Sequence, residues 1–113
     1  MTLQEFMKET NRSMIQVGIS VRPMVVLGDG TLMSIQASNT HYSRPKRLPV
    51  LEDNMYTAME VGFENDLRIP EWEEKYEVET WPSSGINILY GYVETDDIEK
   101  FINEHGGIDH YEF

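Results

Sequence analysis

Met24-Val25-Val26-Leu27-Gly28-Asp29-Gly30-Thr31-Leu32-Met33-Ser34-Ile35-Gln36-Ala37 sets two apolar runs on either side of a glycine-flanked step. Asp-Gly between such runs is a hairpin signal, because both residues tolerate positive φ. In the second run Leu32, Ser34 and Gln36 share one face, while Met33, Ile35 and Ala37 share the other, which is the expected core side. Downstream, Tyr56 to Phe63 repeats the alternation, with Tyr56, Ala58 and Glu60 on one side and Thr57, Met59, Val61 and Phe63 on the other. Ile88-Leu89-Tyr90-Gly91-Tyr92-Val93 is apolar throughout and reads as a buried strand.

Helical signals bracket these strands. Thr2-Leu3-Gln4-Glu5 has the form of a capping box, and Leu3, Phe6 and Met7 follow at i, i+3, i+4, which predicts a helix over about residues 3–11. Met14 to Ile19, rich in β-branched residues, ends that pattern. Near the other end, Thr95 is the expected N-cap, Asp96 and Asp97 face the positive end of the helix dipole, and Ile98, Phe101 and Ile102 form the apolar stripe. His105 occupies the last turn, and Gly106 and Ile108 suit a Schellman ending. Between Ser38 and Asn54 periodicity is lost, and Pro45 and Pro49 mark the longest loop. Pro70 to Trp81 supports two readings, a helix opening on Pro70 and a strand over Tyr76 to Trp81, with a turn at Pro82-Ser83-Ser84-Gly85. The expected architecture is α+β: one domain over 1–113, with an antiparallel or mixed sheet of about five strands and an N-terminal and a C-terminal helix packed on it.

The chain has 113 residues, enough to bury roughly two thirds of its unfolded surface around one core. It has no cysteine, which removes disulfides, a thiolate nucleophile and cysteine-ligated zinc, and leads us to expect a reducing, cytoplasmic setting. Neither a membrane-spanning run nor a basic-then-apolar leader is legible. The net charge of −11 is unevenly spread: residues 1–51 carry six Lys/Arg against three acids, whereas 52–113 carry three against seventeen. A face of that sign repels nucleic acid and anionic membrane and attracts the basic surfaces that hold nucleic acid.

Two segments gather chemistry. In Ser38-Asn39-Thr40-His41-Tyr42-Ser43-Arg44-Pro45-Lys46-Arg47, an imidazole and a phenol sit beside three cations. Such a loop can hold a phosphate, with Arg44 or Arg47 as a bidentate fork, Lys46 as a point charge and His41 or Tyr42 as a donor; equally, its cations can neutralise the acidic half. Glu71-Trp72-Glu73-Glu74-Lys75-Tyr76-Glu77-Val78-Glu79 packs five carboxylates around aromatic residues, with Trp81 close behind. If its second half is extended, Glu77 and Glu79 project together about 6.7 Å apart and can imitate a phosphate ladder, with Trp72 and Tyr76 as interface anchors. The bland alternative is a solvated acidic face whose aromatics belong to the core. His105, Asp109 and His110 are the one grouping of metal-ligand types, and the helix dipole already accounts for His105, so neither metal nor cofactor is expected. No nucleophile elbow, Walker loop or dinucleotide fingerprint occurs, and catalysis is not expected.

Met33-Ser34-Ile35-Gln36-Ala37-Ser38 running into His41-Tyr42-Ser43-Arg44-Pro45, then Met59-Glu60-Val61-Gly62-Phe63, Tyr90-Gly91-Tyr92-Val93 and His105-Gly106-Gly107-Ile108, resembles a family of small proteins from bacteriophages, prophages and plasmids. The resemblance covers most of 14–108. The chain departs from it in the stretched basic step to Arg47 and in Thr95 to Asp97, where a proline-containing helix entry is the pattern; the acidic 71–79 segment is peculiar to this chain. The resemblance implies mobile-element origin in a bacterial host and supplies no catalytic residues. With the charge pattern, it leads us to expect a counter-defence protein, an anti-CRISPR covering a nucleic-acid-binding surface of a host protein or nucleoprotein complex. The alternatives are a nucleotide- or phosphate-binding module using the His41 to Arg47 loop, and an interaction protein of the phage particle or replication machinery.

Overall fold

The computed structural model describes residues 1–18, 21–48, 56–64, 67–80 and 85–112. In chain order the elements are α1 (Leu3–Val17), β1 (Met24–Leu27), β2 (Leu32–Gln36), β3 (Ala58–Phe63), α2 (Pro70–Lys75), β4 (Glu77–Thr80), β5 (Ile88–Glu94), α3 (Thr95–Glu104) and β6 (Ile108–Glu112). The strands form one sheet in the order β4-β5-β3-β2-β1-β6, every neighbouring pair antiparallel. The α+β class and the terminal helices are as expected, and the strand count rises from about five to six.

The hairpin forms where the sequence places it: Val25 pairs with Met33 and Val26 with Leu32, and Met33, Ile35 and Ala37 are fully buried. Met59, Val61 and Phe63 of β3 and Ile88, Tyr90 and Val93 of β5 join them in one core. Leu3, Phe6 and Met7 of α1, Trp72 of α2, and Ile98, Phe101 and Ile102 of α3 close that core from the same side. Among the described residues the other face of the sheet carries no helix.

Helix α1 opens with both capping-box bonds, Glu5 N–H to Thr2 Oγ1 at 3.1 Å and Thr2 N–H to Glu5 Oε1 at 3.0 Å. It runs past residue 11 to Val17, where Gly18 ends it at φ 77°. The buried stripe continues through Thr10, Asn11 and Met14, and the first two are polar, which hides the periodicity. Both are satisfied internally: Thr10 Oγ1 donates to Phe6 O at 2.7 Å, and Asn11 Oδ1 accepts from Arg22. Arg22 is only 2% exposed; it also donates to Met14 Sδ at 3.0 Å and Ala37 O at 3.1 Å, and burial lowers its pKa to about 10.

The ambiguous stretch after Pro70 contains both elements, α2 with proline in its first turn and then β4. Trp81, the Pro82-Ser83-Ser84 turn and the loop from Pro49 to Met55 lie outside the described residues. The N-cap of α3 is Glu94 rather than Thr95, without a side-chain cap bond. At its other end Gly107 N–H reaches Ile102 O at 2.9 Å, completing the expected Schellman ending with Gly106 at φ 92°. The chain then returns as β6 along β1, a strand with little apolar content that buries Ile108 and leans Tyr111 on Phe6.

Candidate functional site

The helix-free face of the sheet brings the acidic run and the basic loop together. In β4, Glu77 stands opposite Gly91 and Glu79 opposite Leu89 of β5, so both carboxylates leave the sheet on this face, beside Glu60 of β3. Residues 38–47 cross the same face. Tyr42 lies on Gly91, where an added Cβ would come 3.2 Å from the Tyr42 ring, so the strand can accept the loop because it has no side chain there. Tyr42 O accepts from Tyr92 N–H at 3.0 Å, and Tyr42 Oη donates to Glu79 Oε1 at 3.0 Å.

Tyr92 sits at the irregular step of the β3–β5 pairing with φ 56°, a left-handed conformation that costs a non-glycine residue energy. Its ring stacks on Tyr42 with centroids 5.7 Å apart and planes at 25°. Arg44 lies 5.2 Å from the Tyr92 centroid, and Lys46 5.2 Å from that of Tyr42. The result is a tyrosine pair flanked by two exposed cations and by the carboxylates of β4. Tyrosine and arginine are the residues that most often carry binding energy at protein interfaces.

Behind the stack, His41 Nδ1 shares a 2.7 Å hydrogen bond with Ser38 Oγ, and His41 Nε2 stands 3.9 Å from Glu60 Oε2. Burial, then the field of Glu79, pushes Glu60 up to about 7. Burial, then Arg22, lowers the His41 pKa. Both shifts favour the neutral forms near neutral pH, and an ion pair, which needs His41 protonated while Glu60 is ionised, is what these two shifts disfavour. Ser38, His41 and Glu60 match a hydrolytic triad in residue type, yet Ser38 is 3% exposed and its hydroxyl also bonds Thr40 at 3.1 Å, so it presents no nucleophile to solvent.

Of the sequence's basic-loop candidates, Tyr42 and His41 are thus engaged within the chain, Arg44 and Lys46 lie over the rings, and Arg47 accepts through its carbonyl from Tyr56 Oη at 2.9 Å. In the acidic run, Glu71, Glu74 and Glu77 are exposed, Glu73 pairs with Arg68, and Glu79 holds Tyr42. Trp72 does not reach the surface as an anchor: it is 6% exposed and packs against Phe63, Tyr90 and Phe101. Tyr76 is half-buried against Trp72, and its hydroxyl donates to Asp97. Two members of the surface, Tyr92 and Glu60, were not singled out from the sequence.

His105 and His110 lie apart in role, His105 Nδ1 on Asp29 at 2.6 Å and His110 Nδ1 on Asp109 at 2.6 Å. Among the described residues no three His, Asp or Glu side chains are placed to hold a metal ion, and no helix is long and apolar enough to cross a membrane. Compared with protein-family models, curated proteins and solved structures, the chain has no significant match.

Proposed function

We propose that this chain is a protein-binding accessory protein of a mobile element, directed at a basic, nucleic-acid-holding surface of a host defence complex such as a CRISPR effector. The observation that carries the reading is the extended form of β4, which sets Glu77 and Glu79 side by side on the sheet face opposite the helices, next to the Tyr42–Tyr92 stack. Carboxylates two residues apart on a strand repeat at about 6.7 Å, close to two base-pair rises of a duplex. Charge at this density speeds and orients encounter with a basic partner, and the tyrosines with Arg44 supply the contact area that holds it. No catalytic step, cofactor or direct contact with nucleic acid enters the reading. A phosphate held by the His41 to Arg47 loop has less support, because His41 Nδ1 and the Tyr42 hydroxyl are already bonded to Ser38 and Glu79, and His41 Nε2 faces the Glu60 carboxyl.

The test is titration onto a panel of purified, guide-loaded CRISPR effector complexes with and without target DNA. Binding is expected to be salt-sensitive, blocked by target DNA and lost in the exposed double reversal Glu74→Lys/Glu77→Lys. Binding that survives the reversal removes the acidic surface from the mechanism, and absence of binding across the panel removes the proposed partner.

A further inference from the structure

Two strands end the sheet, β4 and β6, and among the described residues each pairs on one side only. In an antiparallel pair alternate residues turn N–H and C=O toward the neighbouring strand, and the others turn them outward. None of the outward groups of Glu77 to Thr80 meets a hydrogen-bond partner among the described residues. Such an edge is a template for one further strand, and folds commonly blunt it with lysine, proline or a bulge. In β4 all three are missing: its sequence is Glu-Val-Glu-Thr, and its register with β5 runs unbroken from Glu77 opposite Gly91 to Thr80 opposite Ile88.

The two faces of β4 define what that strand must carry. On the face opposite the helices Glu77 and Glu79 repeat at about 6.7 Å. Glu77 is exposed with no ion pair among the described residues, and Glu79 is bonded to the phenol of Tyr42. On the helix side Val78 is partly buried at the margin of the core. A strand laid along β4 brings its side chains to about 4.5–5.5 Å from these. It matches when Lys or Arg meets Glu77 and Glu79 and an apolar residue between them covers Val78. The edge at β6 lacks this bias, since His110 stands 2.6 Å from Asp109 and 3.6 Å from Glu112. A second copy fits poorly: pairing two β4 edges about Val78 sets Glu77 directly opposite Glu79 of the other copy, and like charges so placed destabilise a sheet.

We infer that the outer edge of β4 takes up an extended segment of another protein in which Lys or Arg alternates with apolar residues, adding it as a further strand. Main-chain hydrogen bonds supply the affinity of such an addition, and the alternating side chains supply its selectivity. The inference rests on the protein-binding reading and names the segment such a partner presents. Its experiment uses peptides alone, so a failure here leaves the effector titration standing, and an effector panel that fails to bind leaves the edge standing.

The experiment is an amide chemical-shift titration of the isotope-labelled chain with three end-blocked peptides of eight residues, each to about 2 mM. One alternates lysine and valine; the second places its four lysines before its four valines; the third is the alternating peptide N-methylated at its two central amides, which keeps every charge and removes strand hydrogen bonds. Saturable shifts centred on residues 77–80, with cross-strand nuclear Overhauser effects to them, are expected for the alternating peptide. The block and N-methylated peptides should each bind about tenfold more weakly or worse. Glu77→Gln should weaken the alternating peptide about threefold or more at an unchanged thermal midpoint. No saturable shift, shifts centred on β6 or elsewhere, equal affinity for the N-methylated or the block peptide, or no loss in Glu77→Gln would each overturn the assignment.

Discussion

The phenol of Tyr42 and the carboxylate of Glu79, 37 residues apart in the chain, share a 3.0 Å hydrogen bond on the face of the sheet opposite the helices. That bond fastens the basic loop to the acidic strand and turns two separately read segments into one surface. Tyr42→Phe should lower the thermal midpoint modestly while the ring stack on Tyr92 persists. Glu79→Gln keeps an acceptor and should cost less. In a double-mutant cycle, Tyr42→Phe/Glu79→Gln should be no less stable than Tyr42→Phe alone; full additivity would mean the bond contributes nothing.

Glu60 predicts an unusual pH dependence. Its folded value of about 7 lies above the ordinary 4.5, through burial first and Glu79 second, opposed by Lys46 and by the Tyr42 N–H, with His41 3.9 Å away. The folded chain therefore holds this proton more tightly than the unfolded chain, so the stabilisation is fully present below about 4.5 and is lost as pH rises through about 7. Glu60→Gln should stabilise the fold by about 1–3 kcal/mol near pH 8 and change little near pH 4, measured by urea denaturation. His41 runs the opposite way: its lowered pKa makes protonation unfavourable in the fold, and the Glu60→Gln protein should lose stability as pH falls below about 6.5.

Trp72 and its neighbouring glutamates should separate cleanly. Trp72→Ala empties the centre of the Phe63, Tyr90 and Phe101 cluster and should cost about 3–5 kcal/mol. Glu71→Lys and Glu74→Lys, both on exposed positions, should stay within about 0.5 kcal/mol of the parent in the same denaturation series. A tolerated Trp72→Ala would show that the tryptophan is not packed as described.

Gly28 marks where the first hairpin meets the end of α3. Its N–H donates to Gly107 O at 2.9 Å and that of Asp29 to His105 O at 3.1 Å, and a Cβ on Gly28 would stand 2.6 Å from Gly106 O. Backbone faces backbone there, with no flexible side chain to yield. Gly28→Ala should therefore cost about 1–3 kcal/mol through forced separation, read as a lowered urea midpoint.

How much of this was legible depends on what each residue had to satisfy. The hairpin, β3, β5 and the stripe of α3 were readable because their apolar residues alternate or recur at the period of the element that buries them. The second half of α1 was not, because Thr10 and Asn11 fill core positions through bonds to Phe6 O and Arg22, contacts that a local pattern does not contain. Edge strand β6 was missed because it buries little beyond Ile108. The acidic run and the basic loop were both visible, but their meeting was not, since it rests on Gly91 being small enough to receive Tyr42. Glu60 read as an ordinary outward-facing strand residue until the loop covering it was known.

Tyr92 tests whether this face is built for binding or for stability. A tyrosine at φ 56° carries strain of about 1–3 kcal/mol, while a stacked aromatic pair returns about 0.5–1.5 kcal/mol, so the fold alone gives little reason for a tyrosine at that position. Tyr92→Gly removes both at once and should leave the urea midpoint nearly unchanged or slightly raised. Its effect should appear instead in partner binding, because the ring under Arg44 is lost and the Tyr42 ring loses its support. The measurement pairs denaturation with the effector titration: a stable Tyr92→Gly protein that no longer binds identifies the stack as a binding surface held at the expense of backbone comfort. A drop of more than about 2 kcal/mol would instead make the stack a structural fastening of the loop, with the strained backbone offset by packing.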